Sequence, residues 1–192
     1  MLSKRQQQII QESIKLIDTK GIQGFTIKNL SKEIGISEPG IYRHFESKFA
    51  ILAAILDSFM FQMQHFKEKF IENTESSLKK IENIYIAHFQ FFTQKPAIIS
   101  VIFAEEIFHN DKILYQKINE ILRANENLIA QIIEQGQKTN EITSEINKNQ
   151  IAIILMGSLR LIVKRWKMSS YAFDLMKEGK ELINSINSLI KK

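Results

Sequence analysis

The sequence predicts an all-α chain of about nine helices, and three observations carry that prediction. Among 192 residues there are only two prolines and seven glycines, so little in the chain breaks a helix. Long windows of Ile, Leu, Lys, Glu and Gln favour helix over strand. Apolar residues recur three and four apart, as Ile10, Ile14 and Ile17 do, which sets them on one helical face.

The first helix is expected near 4–19, with Ser3 as its N-cap and Gly21 as its C-terminal stop. Gly21 to Gly24 then forms a loop. Thr26 can cap a second helix carrying Ile27, Leu30 and Ile34 on one face. Gly35 ends it, because a left-handed residue is nearly free for glycine. Ser37 caps a third helix over about 38–44; Glu38 suits the positive helix start and Pro39 loses no bond in the first turn. Phe45 closes that element, and Ser47 caps a longer helix from Lys48. Longer amphipathic segments are expected near 48–72, 76–93, 96–108, 111–136, 147–167 and 171–190. Breaks are expected at Asn73-Thr74, Thr93 to Pro96, His109-Asn110, Gly136 to Glu145 and Met168 to Ser170. Three short helices thus precede six longer ones.

Composition narrows the class. Hydrophobic residues are 44% and charged residues 24%, values of a soluble globular chain that exclude disorder and fibrous repeats. The absence of cysteine excludes disulfides, thiolate catalysis and zinc-thiolate sites. The opening MLSKRQQQIIQES has polar residues where a signal peptide needs an apolar core of about 7–15 residues. The longest apolar run, Ile151-Ala-Ile-Ile-Leu-Met156, falls far short of the roughly 20 residues of a membrane span. A cytoplasmic protein with no membrane partner is therefore expected. The net charge of +5 suits a polyanionic partner. Residues 1–48 carry Lys4, Arg5, Lys15, Lys20, Lys28, Lys32, Arg43 and Lys48 against Glu12, Asp18, Glu33, Glu38 and Glu46, so the N-terminus shares in that bias.

Two short helices joined by a tight glycine turn make a helix-turn-helix, whose second helix enters the DNA major groove by its N-terminal residues. The compact Pro39 and Gly40 let that helix start approach bases closely, while Ile41 and Phe45, four apart, anchor it to the core. Tyr42, His44 and Lys48 present donors suited to phosphate oxygens, and Thr26 with the free amides at its helix start suits another phosphate. Arg43 and Lys28 suit guanine O6 and N7. Glu38 has two readings: it accepts from cytosine N4, or it only favours its helix start. Tyr42 likewise reads as a phosphate contact or as a core aromatic with its hydroxyl at the surface.

The stretch Thr26-Ile-Lys-Asn-Leu-Ser-Lys-Glu-Ile-Gly-Ile-Ser-Glu-Pro-Gly-Ile-Tyr-Arg-His-Phe-Glu-Ser-Lys48, with Leu52 a turn later, resembles the DNA-binding signature of the TetR family of transcriptional repressors. The close match covers about residues 9–52. The resemblance implies an N-terminal three-helix helix-turn-helix domain, 1–48, and a larger ligand-binding and dimerisation domain, 49–192. It implies a homodimer joined through the last two helices, and a small-molecule effector that spreads the two reading heads and releases a palindromic double-stranded DNA operator. Thr26, Tyr42, His44 and Lys48 match positions that hold the DNA backbone; Lys28, Glu38, Pro39, Gly40 and Arg43 match positions that face bases, and Ser37 belongs to the same DNA-binding element. Ser31 and Ile34 depart from the family, which usually has alanine there.

No Gly-x-Ser-x-Gly elbow or Gly-rich phosphate loop occurs, so no enzyme and no cofactor are expected. Glu106-Ile-Phe-His109 has the Glu-x-x-His spacing of di-iron bundles, but no partner motif accompanies it, so no metal is expected. A pocket in the larger domain would be lined by Met63, Tyr85, His88, Phe89, Phe92, Phe103, Glu106, Tyr115 and Met156, although core packing alone accounts for any of them. Such a pocket suits a hydrophobic or amphipathic molecule. The run Ile151 to Val163 is apolar almost all round and must be buried on most sides. Leu155, Gly157, Ser158, Leu161 and Ile162, with Leu175, Leu182, Ile186 and Leu189, make its expected dimer surface. The competing reading is a helical ligand-binding or interaction protein that binds no operator.

Overall fold

Ser3 starts the first helix through a reciprocal cap: its hydroxyl accepts from the Gln6 amide at 3.2 Å, and its own amide donates to Gln6 Oε1 at 3.0 Å. The structure, a computed structural model, describes residues 2–71, 76–104 and 111–192. Helix α1 spans Lys4–Gly24, longer than expected. Gly21 takes φ 66°, but helix resumes after it, so this glycine kinks the chain where a stop was expected.

The next starts obey the same local chemistry. Helix α2 spans Ile27–Ile34 and is capped by Thr26 Oγ1, which accepts from Asn29 N at 3.1 Å. Gly35 closes it in the left-handed region at φ 75°. Helix α3 is Glu38–Tyr42, two residues shorter than expected, with Ser37 Oγ accepting from Gly40 N at 3.2 Å. Helix α4, Lys48–Ile71, starts where Ser47 Oγ accepts from Ala50 N at 3.1 Å. Helix α5 spans Ser77–Gln94, a 3-10 turn covers Pro96–Ile98, and α6 is only Ile99–Ile102. The helix expected over 96–108 is thus already broken at Phe103 and Ala104, and its later part lies outside the described residues.

Helix α7 spans Lys112–Lys138, α8 Lys148–Met168 and α9 Leu175–Ile190. Gly136 does not end α7: a Cβ there would meet the Ile142 side chain at 2.6 Å and Ser77 Cβ at 2.9 Å. It is a point of close approach. Helix α9 starts later than expected because Ser170 and Tyr171 have positive φ, and Asp174 then caps it through Met176 N and Lys177 N.

Two compact units result: Met1–Met60 with Lys95–Asn119, and Phe61–Gln94 with Glu120–Lys192. In the first, α1 packs on α2, on the 3-10 turn and on α6, and α2 packs on α3. Its core includes Ile9, Leu16, Ile17, Phe25, Leu30, Ile41, Ile51 and Leu52, each at most 2% exposed. At about 1.5–3 kcal/mol per buried large aliphatic side chain, this cluster holds the short helices that cannot hold themselves. In the second, α9 packs on α5 and α8 around Tyr85, Phe89, Phe91, Leu155 and Ile183. The Glu141 carboxylate accepts from Ser77 N at 2.7 Å and from the Ser76 hydroxyl, capping α5 from a distant loop.

Candidate nucleic-acid interface

The five-residue α3 has two unlike sides. Ile41 is fully buried and Phe45 is 8% exposed, so both anchor the element as expected. On the other side Glu38, Pro39, Tyr42 and Arg43 are exposed, with Ser37 before them; Gly40 and His44 are half-buried. Tyr42 is 50% exposed, which removes its reading as a core aromatic. Gly40 lacks a positive φ, and a Cβ there would lie 3.3 Å from Ser37 Oγ. Its contribution is therefore small size beside the cap rather than an unusual backbone.

Thr26 and Lys28, both exposed, stand at the start of α2. Lys48 opens α4, half-buried, its ammonium 5.8 Å from the Phe49 ring centre. The ten expected DNA-facing residues thus fall within one compact unit, on or beside the first turns of α2 and α4 and along α3. The first turn of a helix carries amides without helical partners, and such a turn suits phosphate oxygens. Ser31, a departure from the family pattern, is buried with its hydroxyl donating to the Lys28 carbonyl at 2.9 Å. A satisfied hydroxyl costs the packing little. Ile34 is half-buried.

The expected pocket residues divide. Met63, Tyr85, Phe89 and Phe92 are buried, His88, Phe103 and Met156 half-buried, and Tyr115 is 46% exposed. Glu106 lies outside the described residues. Phe103 and Tyr115 belong to one compact unit and the other described candidates to the second. The structure brings Tyr85 edge-on to Phe89 at 5.7 Å and His88 to Phe92 at 6.3 Å. Tyr85 is not a free polar handle for a ligand: its hydroxyl donates to the Leu155 carbonyl at 2.5 Å and lies 2.8 Å from Ser158 Oγ. Burial pushes its ionisation up to about 12, against the opposing hydrogen bond to Ser158. Phe89 fills the space that Gly179 leaves, for a Cβ on Gly179 would overlap its ring.

The expected dimer surface also needs correction. Leu155 is 0%, Leu175 2%, Ile186 6% and Ile162 7% exposed, so these side chains are spent on the chain's own core. Gly157, Leu161 and Leu189 are exposed, and Ser158 and Leu182 half-buried. Ile153 and Ile154, not singled out in the expected surface, are exposed on α8. Both stand in the apolar run Ile151 to Val163; a helix apolar on every side does not declare which side faces inward. A groove of about 620 Å³ runs between α8 and α9, lined by Ser158, Leu161, Ile162 and Leu182 with Arg165, Asp174, Lys177, Glu178 and Glu181. It contains none of the expected pocket residues.

Among the described residues no group of three or more His, Asp or Glu side chains is placed to hold a metal, and no helix is long and apolar enough to cross a membrane. Glu106 and His109 lie outside them.

Comparison with known proteins agrees with this geometry. Residues 9–55 match the family described as bacterial regulatory proteins, tetR family, and residues 57–190 match YsiA-like protein, C-terminal region. The chain is 24% identical to the fatty acid metabolism regulator protein of Bacillus subtilis, over 95% of this chain and 92% of that one. It shares its fold with the transcriptional regulator FadR of Bacillus subtilis in complex with stearoyl-CoA, at a TM-score of 0.80 and 24% identity, covering 95% and 96% of the two chains. The ketosteroid transcriptional regulator KstR2 of Mycobacterium tuberculosis superposes at a TM-score of 0.85 with 14% identity, over 100% and 97%. With its helix-turn-helix in the first compact unit and a family match over most of its length, the chain belongs to the tetR family of bacterial regulatory proteins.

Proposed function

We propose that this regulator is a homodimeric repressor that holds a palindromic operator and is released by a long-chain acyl-CoA. The observation that carries the DNA half is the division of α3, with Ile41 and Phe45 buried behind an exposed row of Glu38, Pro39, Tyr42 and Arg43. In this reading Arg43 and Lys28 donate to guanine O6 and N7. Thr26, Tyr42, His44 and Lys48 hold phosphates on either side. Glu38 accepts from a cytosine amine while favouring its helix start. Two copies set their reading helices about 34–36 Å apart, so half-sites recur one helical turn apart or somewhat more.

The effector half rests on the fatty acid metabolism regulator among the relatives and on the apolar and aromatic character of the larger helical part. Phe92 and Met63 are buried apolar side chains, and Met156 and His88, the latter beside Phe92, are half-buried. An acyl chain is apolar and its coenzyme end is polyanionic, which agrees with the +5 charge of the chain. The working place of such a repressor is the cytoplasm, beside the DNA. Fluorescence anisotropy against the DNA upstream of its own gene tests the reading. Tight binding there, far tighter than to a shuffled duplex and weakening with salt, is expected; equal affinity for both duplexes removes the repressor.

A further inference from the structure

The side chain of Gln6 uses both ends of its amide. Its Oε1 accepts from the Ser3 amide at 3.0 Å, completing the cap of α1, and its Nε2 donates to the His44 carbonyl at 3.2 Å, across 38 residues of sequence. The acceptor sits just past the end of α3, where the last carbonyls of a helix have no partner within it. Five residues make little more than one turn, which is not stable alone. The pose of α3 is therefore set by what grips it from outside. Ile41 and Phe45 grip its apolar side, but apolar packing is non-directional and leaves sliding and rolling weakly restrained. A directional bond to His44, next to Arg43 and two residues from Tyr42, restrains both.

We propose that Gln6, a residue of α1, is a positioning residue for operator recognition, fixing the end of α3 so that Arg43 and Tyr42 meet base and phosphate together. This rests on the DNA-binding reading above. It assigns to α1 a part in specificity that Gln6 serves without touching DNA.

Three variants separate this role from capping. Gln6→Glu keeps an acceptor for the Ser3 amide but has no donor for His44. Ser3→Ala loses the cap and leaves the His44 bond in place. Gln6→Met loses both. The readout is the ratio of operator to shuffled-duplex affinity, in which the added charge of Gln6→Glu cancels because it weakens both alike. Gln6→Glu and Gln6→Met should lower that ratio about tenfold, on the scale of one misread base pair, whereas Ser3→Ala lowers only the melting temperature. In the DNA-free protein, amide exchange at Arg43 and Phe45 should quicken in both Gln6 variants and not in Ser3→Ala. A ratio that tracks the melting temperature across all three, or slow exchange retained in Gln6→Glu, overturns the inference while leaving the repressor standing. A wild type with no operator preference removes the repressor and this inference with it.

Discussion

The Tyr85 hydroxyl donates to the Leu155 carbonyl at 2.5 Å, binding α5 to α8 across 70 residues of sequence. A phenol buried at that point is a tie between helices first and a ligand contact only if the tie is broken. Tyr85→Phe should cost about 1 kcal/mol at neutral pH, since the Leu155 carbonyl keeps Ser158 Oγ at 3.0 Å as a second donor. Burial holds the neutral phenol, with ionisation raised from 10.0 to about 12, so the unfolded chain ionises first. The stabilisation is complete below pH 10 and fades as pH rises towards about 12. Because the rise from 10.0 to about 12 outweighs about 1 kcal/mol, the difference between wild-type and Tyr85→Phe urea curves should shrink and then reverse sign across that window; a constant difference contradicts the assignment.

Gly179 should behave unlike an ordinary helical glycine. Alanine in an exposed helix is better than glycine by about 1 kcal/mol, but here the new methyl would overlap the Phe89 ring. Gly179→Ala should thus destabilise by about 1–3 kcal/mol, the usual cost of overpacking. Gly179→Ala combined with Phe89→Leu should recover part of that loss. Denaturation of the single and double variants checks the coupling, and simple additivity would refute it.

Leu161 is 59% exposed beside Gly157 and, with Ile153 and Ile154, leaves α8 an apolar outer face. A face of this kind on a helix calls for a partner. Leu161→Asp should convert the proposed dimer to a folded monomer in sedimentation, with its helical circular dichroism unchanged. A dimer that survives this charge would move the interface elsewhere.

Arg43 and Lys48 should fail differently. Arg43→Ala should cost about 1–3 kcal/mol on the operator and relax one base preference. Lys48→Ala should weaken binding to all duplexes alike and reduce the salt slope by about 1. Salt titrations on operator and shuffled DNA distinguish them, and identical behaviour would merge the two roles.

The range of each interaction decides how legible it is in the sequence. The caps at Ser3, Thr26, Ser37 and Ser47 are legible because each bond closes within three residues. The outward row of α3 is legible for the same reason, its two anchors being one turn apart. Gly136 reads as a break because its actual reason, the Ile142 side chain and Ser77, arrives from elsewhere. Gly21 reads as a stop because a left-handed residue can bend a helix or end it, and the choice lies with the residues beyond it. Leu155, Ile162, Leu175 and Ile186 read as the wrong surface because periodicity separates apolar from polar sides, and α8 has apolar residues on both. The hydroxyl partner of Tyr85 and the Gln6–His44 bond span 70 and 38 residues, beyond any local pattern.

The central claim is most directly tested by one titration: long-chain acyl-CoA added to the protein bound on its own upstream DNA, with coenzyme A and a short-chain acyl-CoA as controls. The account predicts release of the DNA by the long-chain compound at concentrations where neither control acts, because a longer acyl chain buries more apolar surface on binding. Complexes that persist at saturating long-chain acyl-CoA, or that all three compounds dissolve equally, would contradict it.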